Sequence, residues 1–255
     1  MPLEIVTVPC LSDNYAYLAH DAATGATAVI DVPEAAPILN ALRARSWRAS
    51  HILITHHHDD HIAGVKALAG ATGARLIGAA ADAHRLPRLD EALVAGDTVR
   101  IGMDAGQVLD VPGHTIGHIA FHFPDSQVAF TADSLMSCGC GRLFEGTATQ
   151  MWQSLSQFLT MDPATLICSG HEYTEANIRF AQSVDPTNAA LAARAGAVAE
   201  KRAEGRPTVP VRLAEELATN PFLRAADPDF RTALGLGDQS PAQVFAHLRA
   251  LKDHF

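Results

Sequence analysis

The chain has 255 residues, 48% of them hydrophobic, and a formal net charge of −9 at pH 7. This length and apolar content suffice for one large domain, or one and a half, with a buried core. The acidic balance disfavours proteins that bind the phosphate backbone of nucleic acids, because that binding needs a basic surface.

Signals for membrane insertion and secretion are missing from the sequence. No run of ~18 uncharged apolar residues predicts a transmembrane helix. The N-terminal residues 1–4 lack the basic region and apolar stretch of a signal peptide. The four cysteines show no C-x-x-C spacing and therefore no disulfide framework. We expect a protein of the reducing cytoplasm.

The first 45 residues predict three strands and a helix. Short β-branched or aromatic runs over residues 5–8, 15–19 and 28–31 indicate the strands. Apolar positions at helical spacing within residues 33–45 indicate the helix.

A dense group of histidines and aspartates occupies residues 55–61, between an apolar run at 51–54 and a helical pattern at 62–69. In an extended segment alternate side chains point the same way, so His56 and His58 can bind one cation together. The chain then turns, so Asp60 and His61 can face the position of a second cation. Imidazole and carboxylate ligands this dense fit zinc, iron or manganese better than a solvated polar loop.

Three later strands also end in polar groups. The strands predicted at 107–111, 128–133 and 165–169 are followed or ended by His114, Asp133 and His171. A lone histidine after a strand is more often structural, but glycine precedes both histidines and permits close approach to an ion. A carboxylate at a buried strand end costs several kcal/mol unless it is paired or bound to metal. His118 and His122 are interpreted as structural.

From residue 175 onward strand signals vanish and helical patterns cover 174–182, 187–202 and 213–217. The last helix is predicted to start at Ser240, with Pro241 at its first position and Gln243 completing a capping box. Its apolar positions predict one buried stripe, formed by Val244, Leu248, Leu251 and Phe255. Arg249 and Lys252 share one flank of that stripe, as an anion clamp or as a solvated basic edge.

Several of these segments together resemble a known family. The H-x-H-x-D-H run at residues 56–61 resembles the metallo-β-lactamase superfamily. D-N-Y-x-Y-L at 13–18, G-C-G-R-x-F-E-G at 139–146 and R-x-x-K at 249–252 resemble the glyoxalase II (hydroxyacylglutathione hydrolase) family. The resemblance implies an α/β fold: an αββα sandwich over residues 1–173, followed by a small all-α glutathione-binding domain over 174–255.

The resemblance also implies a site with two divalent metals, of which zinc is favoured and iron or manganese stay open. One metal would be held by His56, His58 and His114, the other by Asp60, His61 and His171, with Asp133 shared. The residues implied for the substrate are Arg142, Tyr173, Arg249 and Lys252. Phe144 stands where some family members have tyrosine.

The implied reaction is hydrolysis of the thioester of an S-(2-hydroxyacyl)glutathione, chiefly S-D-lactoylglutathione, to glutathione and D-lactate, which removes methylglyoxal. Hydroxide held by the metals would be the nucleophile, with Asp60 and Asp133 catalytic through the metals they bind. The expected partner is this small-molecule substrate, with no nucleic acid and no membrane, and the chain is expected to act as a monomer.

Two kinds of alternative stay open. Another enzyme of the superfamily, such as a mononuclear-iron persulfide dioxygenase or a lactonase, would share the metal motif. A non-catalytic metal-binding protein is disfavoured, because degenerate members would be expected to lose ligands and this ligand set is complete.

Overall fold

The computed structural model describes all 255 residues, which form two compact units. The first unit comprises Met1–Asp110 and Gly117–Ala132, and the second comprises Val111–Ile116 and Asp133–Phe255. The division into domains at residues 1–173 and 174–255 stays a prediction.

A six-stranded sheet forms one layer of the first unit, with its strands in sequence order. These strands are β1 (Glu4–Cys10), β2 (Asn14–His20), β3 (Thr27–Ile30), β4 (Ala49–Leu53), β5 (Arg75–Ala79) and β6 (Glu91–Leu93). The ladders β1–β2 and β2–β3 are antiparallel, whereas β3–β4, β4–β5 and β5–β6 are parallel. Parallel neighbours need crossover connections. α1 (Ala35–Arg45) connects β3 to β4, α2 (Asp59–Ile62) and α3 (Val65–Thr72) connect β4 to β5, and residues 80–90, which begin with a 3-10 turn, connect β5 to β6.

An antiparallel meander forms the second layer of the first unit. It consists of β7 (Thr98–Ile101), β8 (Asp104–Asp110), β9 (Ile119–Phe123) and β10 (Val128–Ala132). The two layers meet through Tyr17 and Phe130, whose ring centroids lie 5.8 Å apart. On the other face of the six-stranded sheet, Ile38 and Leu68 from the helices join a buried cluster with Val29 and Ile52. Helix, sheet and sheet are therefore layered around apolar cores.

The second unit is mostly helical. Its strands are β11 (Leu135–Met136) and β12 (Gly139–Cys140), which form a hairpin, and β13 (Leu166–Ser169) and β14 (Val211–Arg212), which pair antiparallel. Its helices are α4 (Ala148–Ser156), α5 (Thr174–Val184), α6 (Ala189–Ala203), α7 (Leu213–Thr219), α8 (Pro221–Arg224), α9 (Pro228–Ala233) and α10 (Pro241–Asp253). No helix of the chain is both long and apolar enough to span a membrane.

Helix starts followed the capping chemistry of the sequence. Ser240 caps α10 and Thr147 caps α4, and each forms a capping box with the glutamine three residues later. The predicted start of the last helix is confirmed. The helix predicted over residues 62–69 is instead two, α2 and α3, separated at Gly64. A Cβ on Gly64 would lie 2.7 Å from the backbone nitrogen of Ala35, so the chain passes closely there.

The predicted apolar stripe of α10 is wrong in its last two members. Leu251 is 43% exposed and Phe255 is 64% exposed. The buried side of the helix is formed by Val244, Phe245, Leu248 and Arg249. Phe245 contacts the rings of Trp152 and Phe222. The face of α10 that packs against the neighbouring helices is therefore rotated from the predicted stripe toward residues 245 and 249. Burial of Arg249 is a consequence of that rotation.

Candidate metal centre

The loop after β4 and the helix α2 bring His56, His58 and His61 together. His58 is extended, with φ −63° and ψ 141°, and caps α2, which carries Asp60 and His61. The ring centroids of His56 and His58 are 4.9 Å apart, and those of His56 and His61 are 4.2 Å apart. An extended segment followed at once by a helical turn thus places these imidazoles together.

Asp31, which the sequence did not single out, orients two of these rings. Its Oδ2 accepts hydrogen bonds from Nδ1 of His61 at 2.9 Å and from the hydroxyl of Thr55 at 2.7 Å. The Thr55 hydroxyl oxygen in turn lies 3.0 Å from Nδ1 of His56. With its proton committed to Asp31, this oxygen can accept from His56. These contacts favour the tautomer with hydrogen on Nδ1 in both rings, which leaves Nε2 available to a metal.

The position of Asp31 is itself unusual. It is buried and follows β3 with φ 55°, in the left-handed region that aspartate and asparagine tolerate better than most residues. The sequence did contain an indication of this role. Asp31 ends an apolar strand, and a carboxylate at a buried strand end needs hydrogen-bond or ionic partners. Sequence reasoning applied this argument to Asp133 but not to Asp31.

Asn14 contacts the predicted ligand Asp60. Its Nδ2 donates to the Asp60 carboxylate oxygen Oδ2 and to the Asp60 backbone oxygen, both at 3.0 Å. This contact gives the D-N-Y segment a physical role in orienting the carboxylate. The interleaved residues differ from the predicted ligands, because His57 binds the buried carboxylate of Asp82 at 3.0 Å and Asp59 is exposed.

The second unit brings His114, Asp133 and His171 together. One oxygen of Asp133, Oδ2, lies 3.4 Å from Nε2 of His114 and 3.3 Å from Nε2 of His171. Two ligand atoms that each lie ~2.1 Å from a tetrahedral cation are separated by ~3.4 Å. Nδ1 of His114 donates to the backbone oxygen of Arg142 at 2.8 Å, which again directs Nε2 to the ligand position. The three side chains therefore fit metal ligation, with Asp133 between the two histidines.

The backbone passes very close to His114 and Asp133 at Gly141. A Cβ on Gly141 would overlap the backbone oxygen of Asp133 and would lie 2.9 Å from Nδ1 of His114. Glycine is therefore required for Arg142 to reach its position beside His114.

Comparison with known proteins assigns the family. The profile of the metallo-β-lactamase superfamily matches residues 21–171, and the profile described as the hydroxyacylglutathione hydrolase C-terminus matches residues 172–255. A hydroxyacylglutathione hydrolase of Cereibacter sphaeroides (strain ATCC 17025) is 63% identical over the full length of both chains. One of Ruegeria pomeroyi is 60% identical, also over the full length of both. The chain belongs to the hydroxyacylglutathione hydrolase family.

A solved structure agrees with this assignment at the level of fold. The crystal structure of ETHE1 from Myxococcus xanthus is similar with a TM-score of 0.66 and 25% identity, over 98% of this chain and 90% of that one. The predicted resemblance and the α/β sandwich with a helical C-terminal domain are thus confirmed. Membership of the hydroxyacylglutathione hydrolase family implies a single site that holds two divalent metal ions. The histidines and aspartates described above are suitable ligands for such a site.

Three aromatic and basic side chains of the second unit lie near the predicted metal ligands. The ring of Tyr173, 41% exposed, stacks on His171 with centroids 4.7 Å apart. Phe144, 61% exposed, packs edge-on against His114 with centroids 5.3 Å apart. The side chain of Arg142 is 65% exposed. Each of the three side chains is more than one-third exposed.

Arg249 and Lys252 are more enclosed than the predicted clamp required. Arg249 is 5% exposed and donates from Nη1 to the backbone oxygen of Cys140 at 3.2 Å and from Nη2 to Asp253 at 2.9 Å. Its Nε is buried without a hydrogen-bond partner. Lys252 donates to the backbone oxygen of Ala176 at 3.2 Å. Burial, followed by the charges of Arg249 and Arg179, lowers the pKa of Lys252.

The cysteines near the site are not activated. All four cysteines of the chain are free and buried. Burial raises the pKa of Cys138 to about 12 and that of Cys140 to about 11, although Arg194 and Arg249 respectively oppose the shift. A nucleophilic cysteine needs a lowered pKa, so neither thiol has the properties of one.

Proposed function

We propose that this protein hydrolyses the thioester of S-(2-hydroxyacyl)glutathiones, chiefly S-D-lactoylglutathione, to glutathione and D-lactate, and so takes part in methylglyoxal removal. The observation that carries the proposal is full-length identity of 63% to a protein named hydroxyacylglutathione hydrolase. The match of residues 172–255 to that family's C-terminal profile supports it, because it extends the likeness beyond the metal motif of the superfamily.

The proposed ligand set is the one expected from the sequence. It consists of His56, His58 and His114 for one metal, Asp60, His61 and His171 for the other, and Asp133 for both. The orientation of three of these rings by Asp31, Thr55 and the Arg142 backbone supports this set. Zinc is the preferred metal for such ligands, and iron and manganese are also compatible.

Two bound divalent cations would lower the pKa of water to about 7 and polarise the thioester carbonyl. The chain's contribution is to hold the ligands in position. Asp60 is held by Asn14, and the Asp133 carboxylate lies between His114 and His171. A thiol with a pKa of ~8.5 departs readily as thiolate, so the reaction needs no strong general acid from the protein.

We propose that Arg142, Tyr173, Arg249 and Lys252 bind the glutathione portion of the substrate. The exposed guanidinium of Arg142 and the exposed edge of Tyr173 support a direct contact. Nε of Arg249 is buried without a hydrogen-bond partner, so a substrate carboxylate would satisfy this donor if the side chains that cover it move aside. Because Lys252 is partly desolvated, pairing with an anion would favour its charged form.

The decisive experiment measures hydrolysis of S-D-lactoylglutathione, through loss of thioester absorbance, together with metal content on the same sample. Rapid turnover with about two metals per chain supports the proposal. Two bound metals without turnover would contradict the substrate and redirect the search to other esters and lactones. One iron per chain with oxygen uptake on a glutathione persulfide, and no thioester hydrolysis, would contradict the reaction class.

We further propose a cytoplasmic monomer. The four free cysteines support a reducing compartment. Sedimentation of the purified enzyme at working concentration tests the monomer directly.

A further inference from the structure

Residues 137–139, at the turn that joins β11 to β12, have an unusual backbone and many hydrogen-bond partners. Cys138 has φ 54°, a left-handed conformation that few residues other than glycine adopt. Such a conformation persists only where the surroundings enforce it. Here those surroundings include polar side chains that lie 40 to 81 residues further along the chain.

Glu216, at 0% exposure, is the centre of these contacts. The backbone N–H of Cys138 donates to both of its oxygens, at 2.8 Å and 3.1 Å. Asn220 donates to Oε2 at 2.8 Å, and Arg194 donates to Oε1. The carboxylate is thus paired and hydrogen-bonded, as a buried charge must be.

The neighbours of Glu216 hold the rest of the segment. Arg194 donates to the hydroxyl of Ser137 at 2.9 Å, and Asn177 donates to the Ser137 backbone oxygen at 3.0 Å. Asn220 donates to the Gly139 backbone oxygen at 2.9 Å. Backbone groups of three consecutive residues, 137 to 139, are therefore held by side chains of α5 and α7 and of the residue that caps α8, and the Ser137 side chain is held by α6.

This segment connects directly to the metal ligands of the second unit. It begins four residues after Asp133 and ends two residues before Gly141. The backbone N–H of Gly141 donates to the Ser134 oxygen at 3.2 Å, and the Arg142 oxygen accepts from His114 at 2.8 Å. A shift of the segment would therefore move both the Asp133 backbone and the group that orients His114.

We propose that Glu216 is a positioning residue of the metal centre, which acts with Arg194, Asn177 and Asn220 by fixing residues 137–139 and hence the orientation of His114 and Asp133. The proposal rests on the proposed function, because it takes these two residues as metal ligands. It assigns the helices after residue 173 a role in metal binding in addition to substrate binding.

The test compares Glu216→Gln with the wild-type enzyme by chelator competition, which measures metal affinity without reference to activity. Both oxygens of the Glu216 carboxylate accept hydrogen bonds. In the glutamine variant one of them becomes an NH2 group, which would face an N–H donor, so residues 137–139 must shift. We expect about 10-fold weaker metal binding, as for other outer contacts of metal ligands. If Glu216→Gln does not fold, Asn177→Ala serves as the second variant. It removes a single hydrogen bond to the segment, so we expect a smaller loss of metal affinity.

Asp185→Asn is the matched control. Asp185 follows α5, and its carboxylate pairs with Arg224 of α8 and accepts from Asn188, away from residues 137–139. Its variant should lower the unfolding temperature and leave metal affinity unchanged. Folded Glu216→Gln and Asn177→Ala with wild-type affinity, or an equal loss in Asp185→Asn, would overturn the proposal. A wild-type protein that binds no metal would overturn the proposed function as well.

Discussion

Asp31 accepts a hydrogen bond from Nδ1 of His61 at 2.9 Å and thereby fixes the ring nitrogen that can ligate a metal. Through the Thr55 hydroxyl it also fixes His56. Replacement with asparagine, which tolerates the left-handed backbone at this position, should weaken metal binding about 10- to 100-fold. Chelator competition on the purified protein measures this loss.

Asp82→Asn is the control for Asp31→Asn. Asp82 is also a buried carboxylate bound to a histidine of the same loop, but that histidine, His57, is not a proposed ligand. We expect a much smaller loss of metal affinity in Asp82→Asn. Equal losses in the two variants would show that general disturbance of the loop, and not ligand orientation, is responsible.

Asp133 is expected to be the least replaceable ligand. Its Oδ2 lies between Nε2 of His114 and Nε2 of His171, so Asp133→Ala should lose bound metal and nearly all thioester hydrolysis together. Elemental analysis and turnover of the same preparation check both. Hydrolysis near the wild-type rate with two metals bound would contradict the assignment.

Gly141→Ala should disturb the metal centre by steric overlap. The added methyl group would overlap the backbone oxygen of Asp133 and press on the ring of His114, so we expect loss of stability and of metal. Gly196→Ala is the matched control, because Gly196 lies within α6 with open space around its Cβ position. That variant should be stabilised by about 0.5–1 kcal/mol in denaturant unfolding.

Replacement of Arg249 and Lys252 together by alanine should raise KM more than it lowers kcat, because these residues are proposed to bind substrate and transition state alike. Steady-state kinetics with S-D-lactoylglutathione measure the two parameters. The double variant Arg43→Ala/Arg45→Ala removes the same charge from α1 in the first unit and should leave KM unchanged. An unchanged KM in the first variant would refute substrate binding by this pair.

The buried cysteines should resist modification in the native protein. Burial raises the pKa of Cys138 to about 12 and of Cys140 to about 11, so little thiolate forms at pH 8. A thiol reagent at pH 8 should react slowly with the folded enzyme and quickly with all four cysteines in denaturant. Because the folded state keeps these thiols protonated to a higher pH than the unfolded state does, the free energy of unfolding should fall as the pH rises above about 9. Rapid native reaction at pH 8 would contradict the burial.

Much of this protein is readable from local sequence. Strand and helix patterns, the capping boxes at Thr147 and Ser240, and the H-x-H-x-D-H run depend on residues a few positions apart. The same locality explains the omissions. Strands of two or three residues, such as Leu135–Met136 and Val211–Arg212, are too short to show a period.

Contacts between distant residues were decided only by the tertiary structure. Asp31 lies 30 residues from His61, whose ring it orients, and Glu216 lies 78 residues from Cys138, whose backbone N–H it holds. Thr55 is next to His56 in sequence, but its hydroxyl is oriented by the distant Asp31. Helical spacing placed Leu251 in the buried stripe of α10, but Phe245 and Arg249 face the neighbouring helices instead. The sequence alone determined which chemical groups and which local elements are present. Which side chains meet depended on packing, because burial and hydrogen bonding are satisfied across the whole fold.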